Sequence, residues 1–300
     1  MEKKPTKRQH YVPQFYLKRF ADEKGFLHIY DIANDKIFKS APKDFAFEDF
    51  LYEIEYQKTP VTGEKYVLVN HIEDIFAKYE AEFADLLCVL DKVCTPKQNP
   101  YALICNSKEK KLLCRFIVNL IFRNPYTMTA LELHTFPKEL NDSEDMTSIR
   151  KIIDLLELGD MESIVLAAQL KGAITEEYDN NDVWQLVNNI NRLNYMFMYA
   201  KNKEFLTSTF PVNIGIDNSI PYKDKTCVYL ALSRRLSVMF GDFQDSKEKR
   251  NRLALVDDDE IVDYLNVSQF KHIYGNNRCI ICSSETLLNE YIENRKGVKI

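Results

Sequence analysis

Few glycines and prolines punctuate this chain, 8 and 10 among 300 residues, and no Gly- or Ser-rich stretch reads as a linker. That scarcity disfavours a string of tethered modules. One continuous domain over residues 1–300 is expected, with 45% hydrophobic residues to build its core. No apolar run approaches the ~20 residues needed to span a bilayer, and the N-terminus lacks a signal-peptide core, so a cytoplasmic protein with no membrane partner is expected. Positive charge is not in excess. The net charge of −5 argues against an extended nucleic-acid footprint. Internal repeats and low-complexity segments are missing, as is any paired-carboxylate strand motif of the kind metal-dependent nucleases use.

Cysteine is present but unpaired in pattern. Seven residues, at 88, 94, 105, 114, 227, 279 and 282, are odd in number and scattered, which reads as reduced thiols. Cys279-Ile280-Ile281-Cys282 has redox or half-zinc spacing, yet no second pair accompanies it and its apolar run suits a buried strand. No metal site and no cofactor is expected.

What the chain does have is concentrated at its start. Gln9-His10-Tyr11-Val12-Pro13-Gln14-Phe15-Tyr16-Leu17-Lys18-Arg19-Phe20 carries its densest set of hydrogen-bonding and titratable groups. Pro13 biases Val12 toward extended backbone and suits the first position of a helix, so residues 9–12 should be extended and residues 14–20 should make about two helical turns. His10 then falls at a strand-to-helix corner, beside free backbone N–H groups and able to exchange protons near neutral pH. The other reading makes the same stretch an arm that clips onto the body through its aromatics, with His10 donating to a backbone carbonyl. Lys3, Lys4, Lys7, Arg8, Lys18 and Arg19 make this end locally basic. Such a tail can hold a phosphate or simply be solvated.

Further along, two β-prone runs around Asn34-Asp35 predict a hairpin, with His28 on its surface or edge. Apolar residues from Ile72 to Val93 recur at spacings of three and four, an amphipathic helix. Residues 107–122 are apolar almost all round and predict a buried central helix. Arg115, Asn119 and Arg123 interrupt it at i, i+4 and i+8, a single polar stripe that either faces water or lines a cleft suited to an anion. More helices are expected near 147–158, 161–171 and 181–201, the last with an Asn-rich face, Asn188, Asn189, Asn191 and Asn194. Beyond residue 203, four strands are expected at 204–208, 226–232, 236–240 and 278–282, with helices at 257–272 and from 283 to about 295. Asp257-Asp258-Asp259-Glu260 looks like a metal site but reads better as a helix start. The outline is α+β. A mixed β-sheet comes from N- and C-terminal segments (1–66 and 203–300), with a helical block (67–202) inserted and packed on it.

His10-Tyr11-Val12-Pro13-Gln14-Phe15-Tyr16-Leu17, Phe122-Arg123-Asn124-Pro125, Phe205-Leu206-Thr207-Ser208-Thr209-Phe210-Pro211-Val212 and the late strands resemble, in order, the prokaryotic family called domain of unknown function 4238. The resemblance implies a bacterial cytosolic protein. In the family pattern the third segment reads Thr-Ser-Asp-Asn-Pro, so Thr209 and Phe210 stand in the Asp and Asn places. An acid there would be the natural partner for His10.

Two functions are consistent with these residues. One is a metal-independent nuclease or phosphodiesterase acting on RNA or another nucleic acid, as a toxin or antiviral defence effector. In that reading His10 is the acid or base, Arg123 and Arg115 neutralise the phosphate, and Tyr11, Gln14, Asn119 and Ser208 position it. The other is a non-enzymatic binding or regulatory protein holding a small molecule or partner protein, in which the same residues are hydrogen-bonded structure. Geometry separates them: an enzyme needs His10, Arg123 and Ser208 in a shared, partly exposed cleft, whereas a clamp needs His10 buried against backbone.

Overall fold

The computed structural model describes residues 4–53, 70–97, 103–126, 182–216, 226–241, 252–271, 273 and 277–297. The chain starts with a short strand, β1 (Arg8–His10), then a turn of helix, α1 (Gln14–Leu17), continued as a 3-10 turn over Lys18–Phe20. Pro13 caps this helix from extended backbone, with φ −59° and ψ 138°, one position earlier than its sequence suggests. β2 (Leu27–Asp31) and β3 (Lys36–Ser40) form the expected hairpin, with Asp35 at φ 47° in its turn. β4 (Phe47–Asp49) pairs antiparallel with β1.

Two long helices follow, α2 (His71–Val93) and α3 (Ser107–Phe122). Asn106 starts α3 with a capping box, its side chain accepting from the backbone of Lys108 and Glu109 while Glu109 reaches back to the Asn106 N–H. The buried residues of α3 run without a break from Phe116 to Phe122, as its composition requires. The expected helix at 181–201 divides in two. α4 (Asp182–Arg192) ends near Leu193 and the chain turns into β5 (Asn194–Ala200). The residues explain the division, since Tyr195 and Phe197 are buried on one side and Met196 is half-buried on the other, an alternation that suits a strand. Of the Asn-rich face, Asn188 and Asn189 are exposed, and the Asn191 carbonyl accepts from Lys110 of α3. The helices expected at 147–158 and 161–171 lie outside the described residues.

The remaining elements are β6 (Thr207–Ser208), β7 (Val212–Ile216), β8 (Thr226–Ala231), β9 (Leu236–Gly241), β10 (Arg252–Val256), α5 (Asp259–Lys271), β11 (Cys279–Cys282) and α6 (Glu285–Gly297). The Asp258 side chain accepts the Glu260 N–H at 2.9 Å, so the acidic run does open α5. The fold is α+β, with strands in more than one sheet. A five-stranded sheet has the order β10-β5-β9-β8-β7 and is mixed, because β10 and β5 are parallel. A four-stranded sheet, β3-β2-β11-β6, is the one that joins the two ends of the chain.

Side-chain alternation along β11 divides the interior. Cys279 and Ile281 join the large core with Tyr11, Tyr16, Phe83, Phe116 and Phe197, while Ile280 and Cys282 face a smaller core with Phe270, Leu288 and Tyr291 from α5 and α6. Both cysteines are buried free thiols, and burial pushes each up to about 12. His28 is also interior, 6% exposed on β2 and facing Asp22 at 3.3 Å, because β2 is flanked by β3 and β11 and is not an edge.

Candidate functional site

The segments singled out by sequence converge on one region, joined by side-chain hydrogen bonds, most of them to backbone carbonyls. The Arg123 guanidinium donates to the His10 carbonyl at 2.6 Å and to Glu80 of α2 at 2.6 Å, and it lies over the Phe76 ring at 4.2 Å. Tyr52 donates to the Arg123 carbonyl at 3.0 Å, and the Asn124 amide donates to the Thr209 carbonyl at 2.8 Å. Tyr16 donates to the Ala231 carbonyl at 2.7 Å and its hydroxyl also meets Thr207 at 2.7 Å. The opening motif, the end of α3 and the β6 segment are thus one hydrogen-bonded unit.

His10 stands at the corner between β1 and α1 and is 9% exposed. Its Nε2 lies 3.2 Å from the Lys43 carbonyl. A carbonyl only accepts, so Nε2 carries the hydrogen and Nδ1 holds a lone pair, which faces the Gln14 amide at 3.4 Å. Burial lowers the His10 pKa, the Lys43 carbonyl opposes that, and Arg123 adds to the lowering, so the ring is neutral at pH 7. Phe47 packs on it with ring centroids 5.5 Å apart, and Arg8 lies over the other part of that stack, 4.8 Å from the Phe47 centroid.

Arg123 is 1% exposed. Burial works against its cation, but Glu80 with Tyr52 and Glu73 outweighs burial and holds the guanidinium above its usual range. Its polar stripe turns toward α2, with Asn119 and Arg123 buried and Arg115 half-buried. Arg115 lies over Tyr79 of α2 at 4.9 Å, Arg123 engages Glu80 and Phe76 of the same helix, and Asn119 between them is 2% exposed. The stripe is the polar side of the α2–α3 contact.

Tyr11 is buried, its amide donates to the Ala46 carbonyl at 3.0 Å, and burial pushes its phenol up. Ser208 is 0% exposed. Its hydroxyl meets the Phe210 carbonyl at 2.7 Å and Gln269 of α5 at 3.2 Å. Alternation along β6 sends Ser208 toward α5 while Thr207 turns toward Tyr16, so Ser208 and His10 do not meet. At the place of the expected acid, Thr209 bonds the Asn277 carbonyl and accepts the Cys279 N–H at 3.0 Å. Phe210 fills the smaller core.

Several residues at this centre were not singled out by sequence: Tyr52, Glu73, Phe76 and Glu80. A signal was available. Glu73, Phe76 and Glu80 fall at i, i+3 and i+7, so two carboxylates lie on the same face of α2 as core aromatics. The Glu73 Oε2 is buried without a hydrogen-bond partner, as are Arg123 Nε and Asn119 Oδ1. Burial raises the Glu73 carboxyl to about 7, with Arg123 pulling it down and Glu80 pushing it up. Among the described residues no group of three or more His, Cys, Asp or Glu could hold a metal ion, and no helix is long and apolar enough to cross a membrane.

The family model described as "Protein of unknown function (DUF4238)" matches residues 8–286, and the chain belongs to that family. No curated protein and no solved structure matches it.

Proposed function

We propose that this protein acts by binding, as a non-enzymatic or regulatory protein that holds a small molecule or a protein partner, and that its opening motif is the clamp that fixes the fold. The observation that carries this is the commitment of Arg123. A residue that neutralises a substrate phosphate must present its guanidinium to solvent, yet this one is 1% exposed and directs its two terminal nitrogens at Glu80 and the His10 carbonyl. The supposed positioning hydroxyl of Ser208 is bonded inward on another face.

One observation favours the second reading, a metal-independent nuclease or phosphodiesterase acting on RNA. The Lys43 carbonyl fixes the His10 tautomer and leaves Nδ1 as a neutral base held, among the described residues, by a long contact to Gln14, at 3.4 Å. In that reading His10 takes the proton, Gln14 swings aside, and Arg123 positions the histidine through its carbonyl. Such a protein would work in the bacterial cytoplasm as a toxin or antiviral defence effector.

The test is incubation of the purified protein with total RNA and single-stranded DNA in the presence of a chelator, wild type beside His10→Ala. The clamp reading expects no cleavage by either protein and a lower melting temperature for the variant, by several degrees. Cleavage by wild type that is lost in a variant melting at the same temperature overturns it in favour of the nuclease.

A further inference from the structure

The two faces of the five-stranded sheet differ in kind. On one, Phe197, Val238, Leu230 and Val212 lie side by side, each 1% exposed or less, as a wholly apolar row. On the other, the register places Met196, Met239, Tyr229 and Asn213 in one row and Ala254, Met198, Ser237 and Ala231 in the next. Three of these residues carry a polar oxygen that is enclosed and has no hydrogen-bond partner among the described residues: Asn213 Oδ1, Tyr229 Oη and Ser237 Oγ. They are neighbours. Asn213 stands directly opposite Tyr229, and Ser237 lies one diagonal step from Tyr229 on the next strand.

The orientation of the Asn213 amide is fixed by its neighbour. Its Nδ2 donates to the Ser268 hydroxyl at 2.9 Å, and that hydroxyl gives its own hydrogen to the Leu265 carbonyl at 2.7 Å, so the amide cannot turn over and Oδ1 must accept from elsewhere. Burial pushes the Tyr229 phenol up and keeps it a neutral O–H donor; Ser237 opposes this from close by, yet the two hydroxyls do not reach hydrogen-bond geometry. Enclosed oxygens of this kind are costly, and folded proteins give them partners. Ala254, Ser237 and Ala231 are short beside Tyr229 and the methionines, so the second row is shallow, and the methionines are adaptable walls. Met196 and Ala254 are half-buried, so this face reaches the surface on its β5–β10 side.

We propose that this face of the sheet is a binding site for a small uncharged molecule with a hydroxyl or amide group on an apolar body. An N–H or O–H of the ligand donates to Asn213 Oδ1, its oxygen accepts from Tyr229 and Ser237, and its apolar part lies along Met198 and Met239. A charged group would shed its water here with no counter-charge from the three oxygens, which selects against it. The site rests on the reading of a protein that holds a small molecule, but it uses neither His10 nor Arg123. RNA cleavage tests that reading and the sheet methionines test this site, so either can fail alone.

The experiment is a titration of the full chain, labelled at its methionine methyls and followed by NMR, with benzamide and with benzyl alcohol. At least one of the two should shift the Met198 and Met239 methyls saturably, and benzoate should not. Tyr229→Phe and Ser237→Ala each remove one hydrogen bond to the ligand and should weaken that binding by roughly fivefold to tenfold. Each also removes an oxygen without a partner in the described chain, so the unliganded variants should melt no lower than wild type. Four results overturn the proposal: no shift at Met198 and Met239 with either compound up to about 10 mM; benzoate binding as tightly as benzamide; both variants binding as wild type does; or unliganded variants that melt several degrees lower, which would mean that the chain itself partners these oxygens.

Discussion

Replacing Arg123 by alanine should be among the most damaging single changes this protein can suffer. The substitution leaves the Glu80 carboxylate without its 2.6 Å partner, the His10 carbonyl without its 2.6 Å donor, and the Phe76 ring without the guanidinium 4.2 Å above it. Removing one member of a buried ion pair costs roughly 3–5 kcal/mol, chiefly because the other charge is stranded. Glu80 is not fully enclosed, its side chain being 31% exposed, so water can relieve part of that and the lower end applies. The stranded His10 carbonyl adds about 1–3 kcal/mol if no water reaches it, and the two losses share one guanidinium, so they do not simply add. A total of about 4 kcal/mol, at roughly 2 °C per kcal/mol for a chain of this size, lowers Tm by about 8 °C. Lysine keeps the charge but cannot serve both acceptors with a planar fork, so Arg123→Lys should fall between wild type and Arg123→Ala. Calorimetry on the three proteins decides the matter. If Arg123→Ala melts within 2 °C of wild type, the guanidinium is not the fastener described above, and a role facing a ligand becomes the better account of it.

Glu73→Gln should flatten the pH dependence of urea unfolding. Wild type is expected to lose on the order of 3 kcal/mol between pH 4.5 and about 7, where the folded chain holds a proton that the unfolded chain has released, and the variant to lose less. Equal curves would place the Glu73 carboxyl in water. Tyr16→Phe removes the donor to Ala231 and the partner of Thr207, both buried, and should cost about 1–3 kcal/mol by denaturant titration. A cost below 0.5 kcal/mol would mean that those groups find other partners. Ser208→Ala should lower stability by roughly 1 kcal/mol and leave any ligand binding unchanged, since the hydroxyl faces Gln269; a variant that binds less at unaltered Tm contradicts that placement.

Much of the architecture was legible in the residues, and the failures have identifiable causes. α2 and α3 announced themselves because an apolar face repeated over many turns leaves little else to form. The β2–β3 hairpin followed from its Asn/Asp turn. Residues 181–201 misled because Leu186, Ile190, Leu193 and Phe197 keep helical spacing across a boundary that Asn194 and the alternating aromatics of β5 impose. The division of strands between sheets was not readable at all, since pairing is decided by partners far away in sequence. At the site, sequence reached the residues that meet, His10, Tyr11, Gln14 and Arg123, but not what they face. A polar stripe on a greasy helix looks alike whether its counterpart is water, a ligand or another helix. Here the counterpart is Glu80 with Phe76 and Tyr79, and only packing could choose among the three.

The place of β11 governs when this protein can exist as it is synthesised. Cys279–Cys282 lie between β2, made near the start, and β6, made two-thirds of the way along, and the two neighbours have no pairing with each other. Until residues 279–282 leave the ribosome, the hairpin presents the open edge of β2 and neither core has its dividing wall. The chain must therefore wait for the last of its described strands, carrying an unpaired edge that invites aggregation. Translation that stops short of residue 279 would yield no smaller version of the fold, only a sheet missing its middle.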